Sequence, residues 1–218
     1  MTIMSKYKCV LFDLDGTIID SSEGVKKSIS ESIEILGLPQ LTESQLESCI
    51  GPPIQRSFKV LYEMDEKQAN DSAAVFRNIY KDKYLFDAII YDGIVDLIKA
   101  LKREGVKVMI ATYKREDYMR ILLEKFELLE LFDNVKGADF EGKLNKSDII
   151  RMCIAESGCD VRDVVMVGDT IHDQTAAENV GIDFVAVTYG FGFKKPDKLE
   201  NVTFVADYAK DMEKFFVG

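Results

Sequence analysis

Cys9-Val10-Leu11-Phe12-Asp13-Leu14-Asp15-Gly16-Thr17 is a short apolar run that ends in two carboxylates at i and i+2, followed by a glycine. An apolar run closed by such a turn signal predicts a buried strand emptying into a tight polar turn. In an open α/β sheet, ligands lie outside the carboxyl ends of the strands, so Asp13 and Asp15 are expected together at the mouth of a crevice. Two carboxylates this close repel unless positive charge lies beside them, and a hard, oxygen-ligated cation such as magnesium answers that need. Taken alone, the stretch fits an ordinary Asp-Gly turn after a strand equally well. The rest of the chain decides.

Downstream of this turn, Asp20-Ser21-Ser22-Glu23 offers cap residues, and Val25, Ile29, Ile33 and Leu36 follow at helical spacing until Gly37 and Pro39. Thr42 and Gln45 have capping-box spacing for a helix over 41–49, which breaks at Gly51-Pro52-Pro53. Further helices are expected over 55–64 and 66–86. From Ile94 the pattern changes. A helix stopped by Gly105 precedes a strand over 106–112, then come a helix over 115–126, a short strand near Val135 and a helix over 147–156. The apolar strand 164–167 ends in Gly168-Asp169-Thr170-Ile171-His172-Asp173, again two carboxylates at a strand's carboxyl end. A helix, strands at 184–187 and 203–205, and a last helix complete the chain. Alternating strands and helices imply right-handed crossovers and a mostly parallel sheet with helices on both faces, an α/β fold. Residues 19–87 read instead as an all-helical module inserted after the first strand, into a core of residues 1–18 and 88–218.

A chain of 218 residues suits one core domain with a smaller insertion. With 47% hydrophobic and 30% charged residues it is globular in composition. A net charge of -10 argues against nucleic acid, whose binding needs Lys and Arg to neutralise phosphates. Cys9, Cys49, Cys153 and Cys159 form no CxxC pair and read as reduced thiols packed in a core. The start Met1-Thr2-Ile3-Met4-Ser5-Lys6 reaches a strand at once and lacks the apolar region of a leader, and no uncharged stretch is long enough to span a membrane. A cytoplasmic protein without membrane or nucleic-acid partners is expected, as a monomer or weak homodimer.

Four strand ends carry polar groups: Asp13 with Asp15, Thr112, Lys146 at a helix start, and Asp169 with Asp173. Brought together, they would make a magnesium site beside a group that carries negative charge. A carboxylate attacking phosphorus needs a cation and a lysine to offset repulsion between anions, and a hydroxyl and amides to hold phosphate oxygens. Serine or cysteine hydrolysis is disfavoured, since His172 is the one histidine and there is no G-x-S-x-G turn; no P-loop motif occurs either.

Asp13-Leu14-Asp15-Gly16-Thr17, a strand ending in Thr112, Lys146, and Gly168-Asp169 with Asp173 resemble, in order and spacing, the four motifs of the haloacid dehalogenase superfamily. The helical insertion is similar to the small cap of its phosphoglycolate phosphatase-like branch. The resemblance implies a Rossmann-like core, a magnesium ion and an aspartyl-phosphate intermediate. Carried over by position, it makes Asp13 the nucleophile and Asp15 the acid and base. Thr112 and the backbone at Tyr113 would hold phosphoryl oxygens, and Lys146 would neutralise charge. Asp13, the Asp15 carbonyl and Asp169 would hold magnesium, with Asp173 in or just behind that shell. The expected substrate is a small phosphorylated metabolite, phosphoglycolate or a nucleoside monophosphate.

Several positions depart from the commoner pattern. Tyr113 replaces a small polar residue and would narrow the pocket or stack on substrate, Asp92-Gly93 replaces Pro-Gly, and Ser147 replaces proline. Lys143 is the other candidate for the lysine. Arg56 could grip a substrate carboxylate or second phosphate, or form a surface ion pair. Asp169 and Asp173 also suit helix caps. His172 reads as an exposed helix-start residue, and Phe191 and Phe193 as core packing. The rival readings are a sugar phosphomutase on the same core, a phosphonatase using Lys26, Lys27 or Lys59, and a binding module without turnover.

Overall fold

Strand β1 (Cys9–Phe12) is buried along its whole length, as expected of a parallel strand covered on both faces. In the computed structural model, which describes residues 6–140, 143–195 and 198–218, it is followed by β2 (Ile19–Asp20), α1 (Ser22–Leu36), α2 (Glu43–Ser48), α3 (Ile54–Leu61) and α4 (Glu66–Ile79). Next come β3 (Ile89–Ile90), α5 (Ile94–Arg103), β4 (Lys107–Arg115), α6 (Glu116–Lys125), β5 (Asn134–Ala138) and α7 (Lys146–Ser157). The chain ends with β6 (Val164–Gly168), α8 (Ile171–Val180), β7 (Asp183–Val187), β8 (Phe204–Ala206) and α9 (Ala209–Phe216). The expectation about a leader rests on residues of which 1–5 lie outside those described. Among the described residues no helix is long and apolar enough to cross a membrane.

The chain divides into two compact units, residues 1–19 with 90–218, and residues 20–89. In the first, six parallel strands run in the order β5-β4-β1-β6-β7-β8. After β1 the chain re-enters the sheet at β4, on one side; after β6 it moves to β7, on the other. A crevice therefore opens at the carboxyl ends of the adjacent strands β1 and β6, the switch point where such sheets bind ligands. Register sets the depth. Phe12 pairs with both Ile110 and Val167, and the Asp13 amide donates to the Val167 carbonyl at 2.9 Å, so β1 and β6 end within a residue of each other while β4 continues past them.

Strand alternation separates two apolar layers. Cys9, Leu11, Met109, Met166 and Phe184 pack with Ile149, Ile150 and Cys153 of α7 and Ala176 and Ala177 of α8. Val10, Phe12, Val108, Ile110, Val165 and Val167, equally buried, face the opposite layer, where α5 packs on α9. All four cysteines are free thiols.

Two helices of the helical unit carry capping boxes. Thr42 and Gln45 cap α2 reciprocally, and Asp65 and Gln68 do the same for α4. The helix expected to continue to residue 86 instead widens into a π-helical turn over Tyr80–Tyr84. That turn brings the Tyr84 hydroxyl within 3.0 Å of Glu31 and its carbonyl so close to α1 that a Cβ on Gly24 would stand 2.4 Å from it. A second difference bears on the site. The strand expected to stop at Thr112 runs on to Arg115, which pairs with Ala138 after an irregularity in register. Gly137 admits it: a Cβ there would lie 2.5 Å from the Lys114 carbonyl.

Leu11 is fully buried between α7 and the sheet. Leu11→Ala is expected to lower the unfolding free energy by about 2–5 kcal/mol, read as a lower urea midpoint at unchanged slope. A loss under about 1 kcal/mol would show that this layer is not tightly packed.

Candidate active site

The carboxyl ends of β1 and β6 and the amino ends of α7 and α8 converge on one buried group of charges. Asp13 follows β1, and Asp169 follows β6. Lys146 is the first residue of α7, fixed there because Asn145 caps the helix: Asn145 Oδ1 accepts the Asp148 amide at 3.0 Å, and Asp148 Oδ2 accepts the Asn145 amide at 3.2 Å. The Lys146 ammonium then donates to Asp13 Oδ1 at 2.6 Å and lies 2.7 Å from Asp173 Oδ1. Lys143, the alternative, is exposed. Asp173 serves two purposes, because its other oxygen accepts the Thr170 amide at 3.1 Å and hydroxyl at 2.7 Å, capping α8.

Asp13, Asp169 and Asp173 each offer an oxygen within 4.8 Å of the other two, and all three are buried. Burial pushes the Asp13 carboxyl up to about 6, with Lys146 pulling against it and Asp173 and Asp15 adding to it. Burial, together with Asp173 and Asp13, pushes Asp169 up to about 8. Burial also works against the Lys146 charge, but Asp13 and Asp173 outweigh it and hold the ammonium above its ordinary range. Three close carboxylates against one lysine leave an excess of negative charge on hard oxygen donors. That donor set fits a divalent cation such as magnesium.

Asp169 is oriented by groups absent from the sequence reading. Its Oδ2 accepts the backbone amides of Phe191 at 2.7 Å and Gly192 at 3.3 Å, and the Thr17 hydroxyl donates to Oδ1 at 3.4 Å. This packing depends on two glycines. A Cβ on Gly16, whose φ is +85°, would lie 2.3 Å from Asp169 Oδ2, and one on Gly190 would lie 2.2 Å from the Gly16 carbonyl oxygen. The alternating glycines of Tyr189-Gly190-Phe191-Gly192-Phe193 were the signal, since side-chain-free positions mark a backbone that approaches something closely. Of the two aromatics, Phe193 is buried against Phe184 as core packing requires, while Phe191 contributes its amide.

Thr112 is buried at the end of the regular part of β4, and its hydroxyl accepts the Lys114 amide at 3.2 Å. Tyr113 is half-buried, with its ring 5.7 Å from the Lys146 ammonium and edge-on to His172 at 6.4 Å. His172 is thus half-buried at the helix start, where exposure was expected, because the Tyr113 ring covers it. The Asp15 carboxylate stands outside the three-carboxylate group. Lys114 holds it, at 3.0 Å from Oδ1 and 3.2 Å from Oδ2. Arg56 is exposed on α3 of the helical unit.

Sequence and fold both have counterparts among known proteins. Residues 10–187 match the profile of the family described as haloacid dehalogenase-like hydrolase. The chain is 31% identical to a 5'-nucleotidase of Pseudomonas aeruginosa over 86% of its own length and 85% of that protein's. It is 28% identical to phosphoglycolate phosphatase 1 of the same organism, over 94% and 78%. Among solved structures, a predicted phosphatase from Clostridium acetobutylicum superposes with a TM-score of 0.89 at 33% identity, covering 95% of this chain and 97% of that one. The chain belongs to the haloacid dehalogenase-like hydrolases and is a phosphatase of that family.

Proposed function

We propose that the protein hydrolyses a small phosphomonoester in two steps, with Asp13 as the nucleophile and magnesium as the cofactor. The observation that carries this reading is Lys146, clamped between Asp13 and Asp173 at the crevice between β1 and β6, with Asp169 completing the carboxylate group. A nucleophilic carboxylate must approach a phosphate dianion, and buried positive charge beside it lowers that barrier. In the first step an Asp13 oxygen forms a bond to phosphorus while the bond to the leaving oxygen breaks, and the Asp15 carboxyl gives its proton to that oxygen. In the second, the Asp15 carboxylate takes a proton from water as the water oxygen attacks phosphorus. The Asp13–phosphorus bond breaks, inorganic phosphate leaves and the Asp13 carboxylate is restored.

The Thr112 hydroxyl and the backbone beside Tyr113 would hold phosphoryl oxygens, and Lys146 would offset their charge. Asp13, the Asp15 carbonyl and Asp169 would hold magnesium. Asp173, both of whose oxygens are engaged by Lys146 and Thr170, supports the lysine from behind. When bound, magnesium supplies positive charge at the phosphoryl oxygens. The names of the relatives favour a nucleoside monophosphate or phosphoglycolate as substrate. Residues 20–89 would act as a cap that excludes bulk water, with exposed Arg56 as the donor for a substrate carboxylate or second phosphate.

Asp13→Asn is expected to abolish release of phosphate from an aryl phosphate while circular dichroism shows the fold retained; full retained turnover would refute the assignment. A second prediction concerns pH. Asp13 and Asp169, raised to about 6 and about 8, bind protons more tightly folded than unfolded. Their contribution to stability is complete below the unfolded carboxylate range near pH 4 and is lost as pH rises through 6 to 8. Metal-free wild type should therefore lose Tm between pH 5 and pH 8 relative to Asp169→Asn, and magnesium should raise the wild-type Tm more at pH 8 than at pH 5.5. Parallel Tm profiles for the two proteins would count against the cluster as a proton-linked cation site.

A further inference from the structure

Each of the two carboxylates spaced i and i+2 meets a different lysine. Lys146 meets Asp13 and Asp173. The Lys114 ammonium meets both oxygens of Asp15, at 3.0 and 3.2 Å, and its side chain is only 6% exposed. This placement is built into the sheet. β4 continues past Thr112, Gly137 of β5 leaves room for the Lys114 carbonyl, and the Thr112 hydroxyl accepts the Lys114 amide. The residue that fixes Lys114 from behind is thus the one assigned to phosphoryl oxygens.

We propose that Lys114 is a positioning residue, which holds the Asp15 carboxyl in the single orientation from which it both gives a proton to the leaving oxygen and takes one from water. The inference rests on the acid and base role of Asp15 and deepens it. A carboxyl that acts in both half-reactions must face the same line through phosphorus twice. A carboxylate on a short, partly exposed side chain turns freely unless both of its oxygens are tied. Lys114 ties both. Its effect is on the geometry of proton delivery.

The signature of such a role is selectivity among leaving groups. A nitrophenolate departs without a proton, whereas an alkoxide needs one. The experiment measures kcat/KM, which reports the steps through phosphorylation of Asp13, for aryl phosphates of graded leaving-group acidity and for an alkyl phosphate. Lys114→Met is expected to lower kcat/KM for the alkyl ester by about 100-fold, the scale of a misplaced catalytic group. The loss for 4-nitrophenyl phosphate should be at least tenfold smaller, by the weaker demand for acid catalysis in that ester. Lys114→Gln should show the same divergence, and serves if the methionine variant does not fold. Lys114→Arg, with a cation and paired donors, should restore most of the alkyl ester activity. Equal losses across the series, or no loss, would overturn the proposal. Asp15→Asn separates this from failure of the underlying reading. If Asp15→Asn shows the divergence and the Lys114 variants do not, only the role of Lys114 falls; if Asp15→Asn shows none, the acid assignment falls with it.

Discussion

The Lys146 ammonium lies within 2.7 Å of two carboxylates in a part of the molecule that water hardly reaches. Removing charges from water costs several kcal/mol per ion, and the cost is recovered only when partners sit in good geometry. The first strand, the start of α7 and the start of α8 must therefore arrive at one point together, or the protein would hold an unpaired buried charge. The sheet order makes that arrival possible, because β1 and β6 are neighbours and their chains depart in opposite directions. The energetics of the pair and the topology of the sheet impose the same condition.

Around this pair, charge is apportioned with little slack. Asp13 shares a lysine with Asp173, Asp15 has Lys114, and Asp169 has backbone amides and a hydroxyl but, among the described residues, no ammonium. Burial, with no ammonium to oppose it, pushes Asp169 further up than Asp13. Neutral donors orient a carboxylate without cancelling its charge, which keeps it available to a cation. The glycines at 16 and 190 are the steric condition for this, since a methyl group at either would occupy the space of the carboxylate or of the backbone that orients it.

Much of the fold was legible along the chain. Capping boxes such as Thr42 with Gln45, helix stops such as Gly37, and the apolar runs at 9–12 and 164–167 are local patterns, and local physics reads them out directly. What was missed was also local in size but set by distant partners. The π-helical turn at Tyr80–Tyr84 answers to Gly24 and Glu31 across the helical unit, and the extra length of β4 answers to Gly137 on β5. The two-residue strands β2 and β3 are too short to carry a periodicity.

The sequence by itself determined an α/β core interrupted by helices, and which carboxylates and threonine stand at its strand ends. Tertiary structure alone decided who meets whom: Lys146 reaches Asp13 across 133 residues, Lys114 reaches Asp15 across 99, and the amide of Phe191 reaches Asp169 across 22. Spacing along a strand or helix follows from bond geometry and is written locally. A pairing between remote residues follows from register and crossover, which no short window contains, and the choice of Lys146 over Lys143 and the second lysine at Asp15 both lie on that side.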